Sequence, residues 1–144
     1  MKFSILLTIF LAAFADSTHA ANYRLPFNGQ WFVMQGGDTP NVNHHMHPAI
    51  ASQWYGVDFV KTGGPKDRAV TKDTGQKLQD SFSWGQPIVS PVAGVVRTAL
   101  DGLPDNPIGM RDRKKPFGNH VVIEAGLKEF VYLAHFQKGS VAVK

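Results

Sequence analysis

The chain has 144 residues, 43% hydrophobic, 11% aromatic and 18% charged, which is enough for one domain with a buried core and too apolar for a disordered tail. It contains no cysteine, which excludes disulfides, iron–sulfur clusters, thiolate zinc sites and cysteine nucleophiles, so any metal must be held by His, Asp or Glu. Lys and Arg outnumber Asp and Glu by 15 to 11, and a net charge of +4 spread along the chain does not mark a nucleic-acid binder.

Met1-Lys2 precedes an apolar run over residues 3–14, followed by Asp16-Ser17-Thr18-His19-Ala20. A short basic start, about a dozen apolar residues and small residues before a cut mark a secretory signal peptide, with cleavage predicted after Ala20. The run is shorter than the roughly 20 residues of a spanning helix, and no other stretch is suited to cross a membrane. The mature chain, residues 21–144, is therefore expected to be periplasmic or secreted. His19 leaves with the leader, and the other histidines remain to carry chemistry.

The mature chain reads as strands and turns. Residues 53–60 alternate, with Tyr55, Val57 and Phe59 on one side and Trp54, Gly56, Asp58 and Val60 on the other, which predicts a strand. Residues 61–80 are polar and rich in Gly, Lys and Asp, a long surface excursion. Residues 85–97 predict a strand, a tight turn and a second strand, punctuated by Pro87, Pro91 and Gly94. A second polar insertion over 101–117 carries Arg111, Arg113, Lys114 and Lys115. Residues 119–125 and 128–136 predict a hairpin joined at Gly126. Residues 139–144 read as the opening of a further strand, so the chain is expected to continue beyond them. No heptads, long amphipathic helices or repeats occur. The expected architecture is mainly β, an antiparallel sheet or sandwich with long loops.

Three histidines fall within Asn43-His44-His45-Met46-His47, and Asp58 follows on the predicted strand. Imidazole nitrogen and carboxylate oxygen are the natural zinc ligands of a cysteine-free chain. A histidine cluster in a loop is usually just solvated, and a lone strand Asp is usually a surface group; together they point to a metal. His135 lies in Phe130-Val131-Tyr132-Leu133-Ala134-His135-Phe136, on the face of Val131 and Leu133, where an imidazole is by default a hydrogen-bonded core or boundary group. His120, at a strand start after Gly118-Asn119, reads as a surface residue.

Gly85-x-Pro87-Ile88-Val89-Ser90-Pro91-Val92-Ala93-Gly94-Val95-Val96 resembles the G-x-P-V-x-A-P-x-D-G-x-V segment of the M23 (lysostaphin/LytM-type) zinc metallopeptidases. Gly118-Asn119-His120-Val121-Val122-Ile123 resembles their G-N-x-V-x-I strand. Leu133-Ala134-His135-Phe136 with Gly139-Ser140-Val141 and Val143 resembles Y-A-H-L … G-S-V-x-V. With Gly56-Val57-Asp58, the ordered match spans residues 53–144. The resemblance implies an antiparallel β domain holding one zinc and cutting peptide bonds, usually in bacterial peptidoglycan.

Carried over residue by residue, Asp58 matches the aspartate ligand of the family's H-x-x-x-D motif, and Trp54 stands where its histidine belongs. Some members resemble this chain in having an Asn-x-His segment upstream and a Gln before the strand, here Asn43-His44-His45 and Gln53. That implies His45 as the displaced ligand, with His44 and His47 as alternates. His135 matches the catalytic histidine that is not a ligand; Leu133 replaces the usual tyrosine two residues before it, and Tyr132 is adjacent. The H-x-H motif, source of the third ligand and a second catalytic histidine, has no counterpart here and in the family lies past the G-S-V segment. These 144 residues alone are therefore expected to be inactive. Two other readings compete: a degenerate, non-catalytic M23-like domain that binds the cell wall or activates another hydrolase, and a biotinyl- or lipoyl-type carrier module, against which stand the absent lysine-centred turn and the export signal.

Overall fold

The computed structural model describes residues 21–64 and 69–143; the predicted leader over residues 1–20 lies outside them. The chain is mainly β, as its alternating runs predict. Strands β1 (Phe32–Gln35) and β2 (Asp58–Val60) pair antiparallel as a two-stranded ribbon. Strands β3 (Val95–Leu100), β4 (Asn119–Gly126) and β5 (Glu129–Phe136) form an antiparallel sheet in the order β3-β4-β5. Among the described residues no helix is long and apolar enough to cross a membrane.

The core follows from the composition of β4. Val121, Val122 and Ile123 are consecutive β-branched residues and all are buried, as befits a central strand covered on both faces. Val92 completes the buried cluster with Val121 and Ile123; Val96, Ala125, Val131, Leu133, Phe136 and Val141 pack around it. Gly94 lets the chain enter β3 against β4. A Cβ there would lie 2.3 Å from the Glu124 carbonyl oxygen and 2.8 Å from Ile123 Cγ2, so only glycine fits. A second apolar knot lies beside the ribbon, where Phe27 stacks on Trp31 at 4.5 Å and meets Phe59 of β2 edge-on at 4.9 Å.

No strand of the ribbon contacts a strand of the sheet. Connecting segments tie the two together: the Arg24 amide donates to the Pro91 carbonyl and the Val89 amide to the Pro26 carbonyl, both at 2.8 Å. The Lys61 amide donates to Ser83 Oγ at 2.9 Å.

Several local expectations change. The strand predicted from residue 53 begins only at Asp58, because Pro48–Gln53 forms a 3-10 helix. Its tight local bonds continue, Trp54 N to Ala51 O and Gly56 N to Gln53 O, and they take the amides that a ladder would need. Before β3 the chain over 86–90 is extended but not a strand, since Pro87 and Pro91 offer no donors and pairing stops at isolated bonds with residues 24–26. β3 itself runs on to Leu100. The 61–80 excursion carries bridges Gly63–Ala69 and Thr71–Ser81 and a short 3-10 turn at Leu78–Asp80. The β4–β5 turn is centred on Leu127-Lys128, and the left-handed conformation falls on Lys128 (φ 61°) rather than on Gly126, which pairs with Glu129. Residues 139–143 form no strand. Asp101 accepts the amides of Gly139 (2.8 Å) and Val141 (3.1 Å), so a carboxylate takes the place of a strand neighbour.

Candidate functional site

The 43–47 loop is shaped by Asn43, the most deeply buried polar residue, 1% exposed. Its Nδ2 donates to the Gly37 and Trp54 carbonyls, each at 3.0 Å, and its Oδ1 accepts the His45 amide at 3.0 Å. This is an asparagine side chain substituting for secondary structure, satisfying three backbone groups where no strand can. The Asn43 carbonyl also accepts the Met46 amide at 3.1 Å. Gln35, at the end of β1, fixes the next residue by accepting the His44 amide on Oε1 at 3.1 Å. Opposite Gln35 in the ladder stands Asp58.

These contacts bring the predicted ligands together. His45 Nε2 lies 3.0 Å from Asp58 Oδ2. The rings of His44 and His45 are 4.3 Å apart, and one ligand atom from each of His44, His45 and Asp58 falls within 4.8 Å of the others. His45 Nδ1 is buried and has no hydrogen-bond partner. A carboxylate only accepts, so without a metal Nε2 carries the proton and Nδ1 is left as a buried lone pair facing no donor, a situation that costs about 1–3 kcal/mol. Two ligand atoms bound tetrahedrally to one zinc lie about 3.3 Å apart, so the His45–Asp58 separation needs to open only slightly to admit an ion. The donor set of two imidazoles and one carboxylate suits zinc. On spacing and donor chemistry, these residues fit a divalent transition metal.

His47 is not in this group; its carbonyl accepts Trp54 Nε1 at 3.0 Å. Trp54, in the place of the family's motif histidine, therefore holds the far end of the loop through its indole while its carbonyl receives Asn43. Gly56 suits the tight turn after the 3-10 helix, where a Cβ would meet Gln53 O at 3.0 Å; the His45 ring, 3.7 Å from that position, is in ordinary contact. An open groove of about 460 Å³ adjoins, lined by Gly37, Asp38, Met46, Trp54, Tyr55, Gly56 and Val57.

His135 belongs to the other sheet and departs from its expected face. It is exposed and has φ 66°, the left-handed region. The ladder runs Val121–Leu133 and then Asn119–Phe136, so Ala134 and His135 together oppose His120 in a β-bulge. The bulge turns the imidazole off the Val131–Leu133 face, a reversal that simple alternation does not reveal. The His135 amide donates to Phe117 O at 3.0 Å and its Nε2 lies 3.0 Å from Pro116 O. A carbonyl only accepts, so Nε2 carries the proton and Nδ1 of the neutral ring is the basic nitrogen. His120, expected on the surface, is half-buried; its Nδ1 lies 2.8 Å from Gly118 O and its ring sits 6.1 Å from that of Phe117.

Sequence reasoning missed Gln35, and it named Asn43 only as the start of the Asn-x-His segment, not as the side chain that shapes the loop, although asparagine is a residue type that organises turns. No protein-family model, curated protein or solved structure matches the chain.

Proposed function

We propose that the chain is an exported zinc metallopeptidase domain of the M23 type, acting on peptide bonds, with bacterial peptidoglycan as the substrate class. The observation that carries this reading is the 3.0 Å approach of His45 Nε2 to Asp58 Oδ2, with a His44 ligand atom within 4.8 Å of both residues. The sandwich of that family is the finer fold the reading entails. His45 and Asp58 are the metal ligands, and His44 is close enough to join them. A bound zinc supplies a polarised carbonyl and a water whose pKa falls towards about 7. Asn43 and Gln35 hold the ligand loop in place. His135 accepts a proton or stabilises a developing oxyanion through its imidazole, a role worth about 10²–10⁴-fold. Its left-handed backbone supports that assignment, since strain of this kind collects at functional positions. The one H-x-H string in the sequence, His45-Met46-His47, lies upstream of Asp58 and not after the G-S-V segment where the family places its motif.

A second reading has its own observation. Trp54 occupies the motif-histidine position and serves as a clip on His47 O, as in a domain that has lost catalysis and binds the cell wall or activates another hydrolase.

Zinc titration separates the proposal from a metal-free module. His45→Ala and Asp58→Ala are each expected to weaken zinc at least tenfold, with His47→Ala unchanged; retention of wild-type zinc affinity by both variants overturns the ligand assignment. Muralytic assays divide the two readings. In the full-length protein, zinc-dependent release of wall peptides that falls at least a hundredfold in His135→Ala supports the enzyme, whereas wall binding without hydrolysis supports the degenerate domain.

A further inference from the structure

The insertion between β3 and β4 contains a surface unrelated to the metal cluster. Pro107-Ile108-Gly109-Met110 closes as a turn, the Met110 amide donating to the Pro107 carbonyl at 3.0 Å, with Gly109 at φ 76° in the position that requires glycine. The turn presents Ile108, 51% exposed, and Met110, 65% exposed. Arg111, Arg113, Lys114 and Lys115 follow at once, all exposed. Asp112, the one acid among them, is committed locally: its Oδ1 accepts the Lys114 amide at 2.8 Å and the Lys115 amide at 3.1 Å. Among the described residues the ion pairs are His45–Asp58 and Arg97–Glu124, so these four cations have no carboxylate partner. The loop is built rather than slack, because Gly118 N bonds Lys115 O and the Pro116 and Phe117 carbonyls are bonded to His135.

We propose that this loop docks the protein on an anionic lipid bilayer, with Ile108 and Met110 entering the headgroup–acyl boundary and the four cations resting on the lipid phosphates. Charge complementarity alone would equally suit a soluble polyanion. The two exposed apolar side chains at the turn decide for the bilayer, since a polyanion offers them nothing to enter and an interface rewards them with buried area. A loop this long without regular structure is usually functional, and anionic membrane surfaces attract cations of this kind by about fivefold in affinity per residue.

The test is sedimentation of the full chain with vesicles of phosphatidylglycerol and phosphatidylcholine. Binding is expected to the anionic vesicles and to be lost with pure phosphatidylcholine. Arg113→Gln, Lys114→Gln and Lys115→Gln combined are expected to weaken it about a hundredfold. Ile108→Ser with Met110→Ser is expected to weaken vesicle binding about tenfold while leaving binding to inorganic polyphosphate unchanged. Equal binding of all variants to vesicles overturns the proposal, as does polyphosphate binding in the absence of vesicle binding. Because the chain has no cysteine, Ile108→Cys carrying an environment-sensitive dye reports the loop alone. A blue shift on anionic vesicles supports insertion there, and an unchanged spectrum overturns it.

Discussion

The three-stranded sheet and the two-stranded ribbon are held by different physics. In the sheet, Val121, Val122 and Ile123 are removed from water and the strands order around them. In the ribbon, Phe32, Val33 and Met34 are all exposed, so burial of β1 contributes little. Phe59 of β2 packs on Phe27, but the loop that carries the histidines is fixed by polar groups: one buried asparagine, a glutamine amide and an indole, each bonded to backbone. Hydrophobic burial is tolerant of small displacements, whereas hydrogen bonds are directional. A site that must place ligand atoms to within tenths of an ångström is therefore built on the second kind of support.

Substitutions in the two regions break this contrast apart most strongly. Ile123→Ala removes a 4% exposed side chain from the central strand and is expected to destabilise the whole domain by about 3 kcal/mol, read by urea denaturation. Asn43→Ala leaves two carbonyls and one amide without partners, about 1 kcal/mol each, yet its effect should stay local. Hydrogen exchange is expected to accelerate over residues 35–58 while β4 amides remain protected, and zinc affinity should fall with it. Equal acceleration in β4 would show that the two regions unfold as one and that the contrast is wrong.

How legible each region was in the sequence follows from the same difference. The β-branched run announced β4 and alternation announced β5, because burial leaves a pattern, whereas of the strand, turn and strand read across Gly94 only the second strand formed. The metal cluster was half legible: residue types singled out the histidines at 44, 45 and 47 together with Asp58, and the family resemblance favoured His45, but proximity depends on β1 pairing with β2, and Phe32-Val33-Met34 shows no alternation to signal it. The 3-10 helix at Pro48–Gln53 erased the start of a strand that alternation predicted, since local i→i+3 bonds won over the ladder. His135 was legible as a residue and not as a geometry. One left-handed residue shifts the register, and no periodicity encodes a bulge.

That bulge sharpens the comparison, since it brings strain into the otherwise regular sheet. Lys128 and His135 are the non-glycine residues with positive φ among the described ones, one in a hairpin turn and one in a strand. A turn asks for that conformation and a strand does not, so the His135 strain is held by the Phe117 and Pro116 contacts. His135→Gly is expected to be more stable than His135→Ala by about 1 kcal/mol in thermal denaturation, because glycine adopts the left-handed region freely. Equal stability of the two variants would mean that the backbone relaxes out of the bulge once the imidazole is gone.

The smallest effect tests whether polar support also reaches the sheet. Asp101 follows β3 directly and accepts the amides of Gly139, Gly102 and Val141, which hold its carboxyl below the ordinary value of 3.8; partial desolvation opposes them. A lowered native pKa means that the unfolded chain binds the extra proton first, so stability rises with pH across that interval. The contribution is complete above the unfolded value and fades as pH falls through the lower native one. Asp101→Asn is expected to flatten the acid limb of the stability–pH curve while leaving neutral-pH stability only slightly reduced, since the residue is only half-buried and its bonds compete with water. The segment should then be the first to loosen: residues 137–143 lose amide protection as pH falls through the lowered native pKa of Asp101 in the parent chain, and at every pH in the variant. Were the acid limb unchanged, the end of the described chain would be held by Val141 against the core alone, and the division between apolar sheet and polar ribbon would be sharper than the bonds to Asp101 imply.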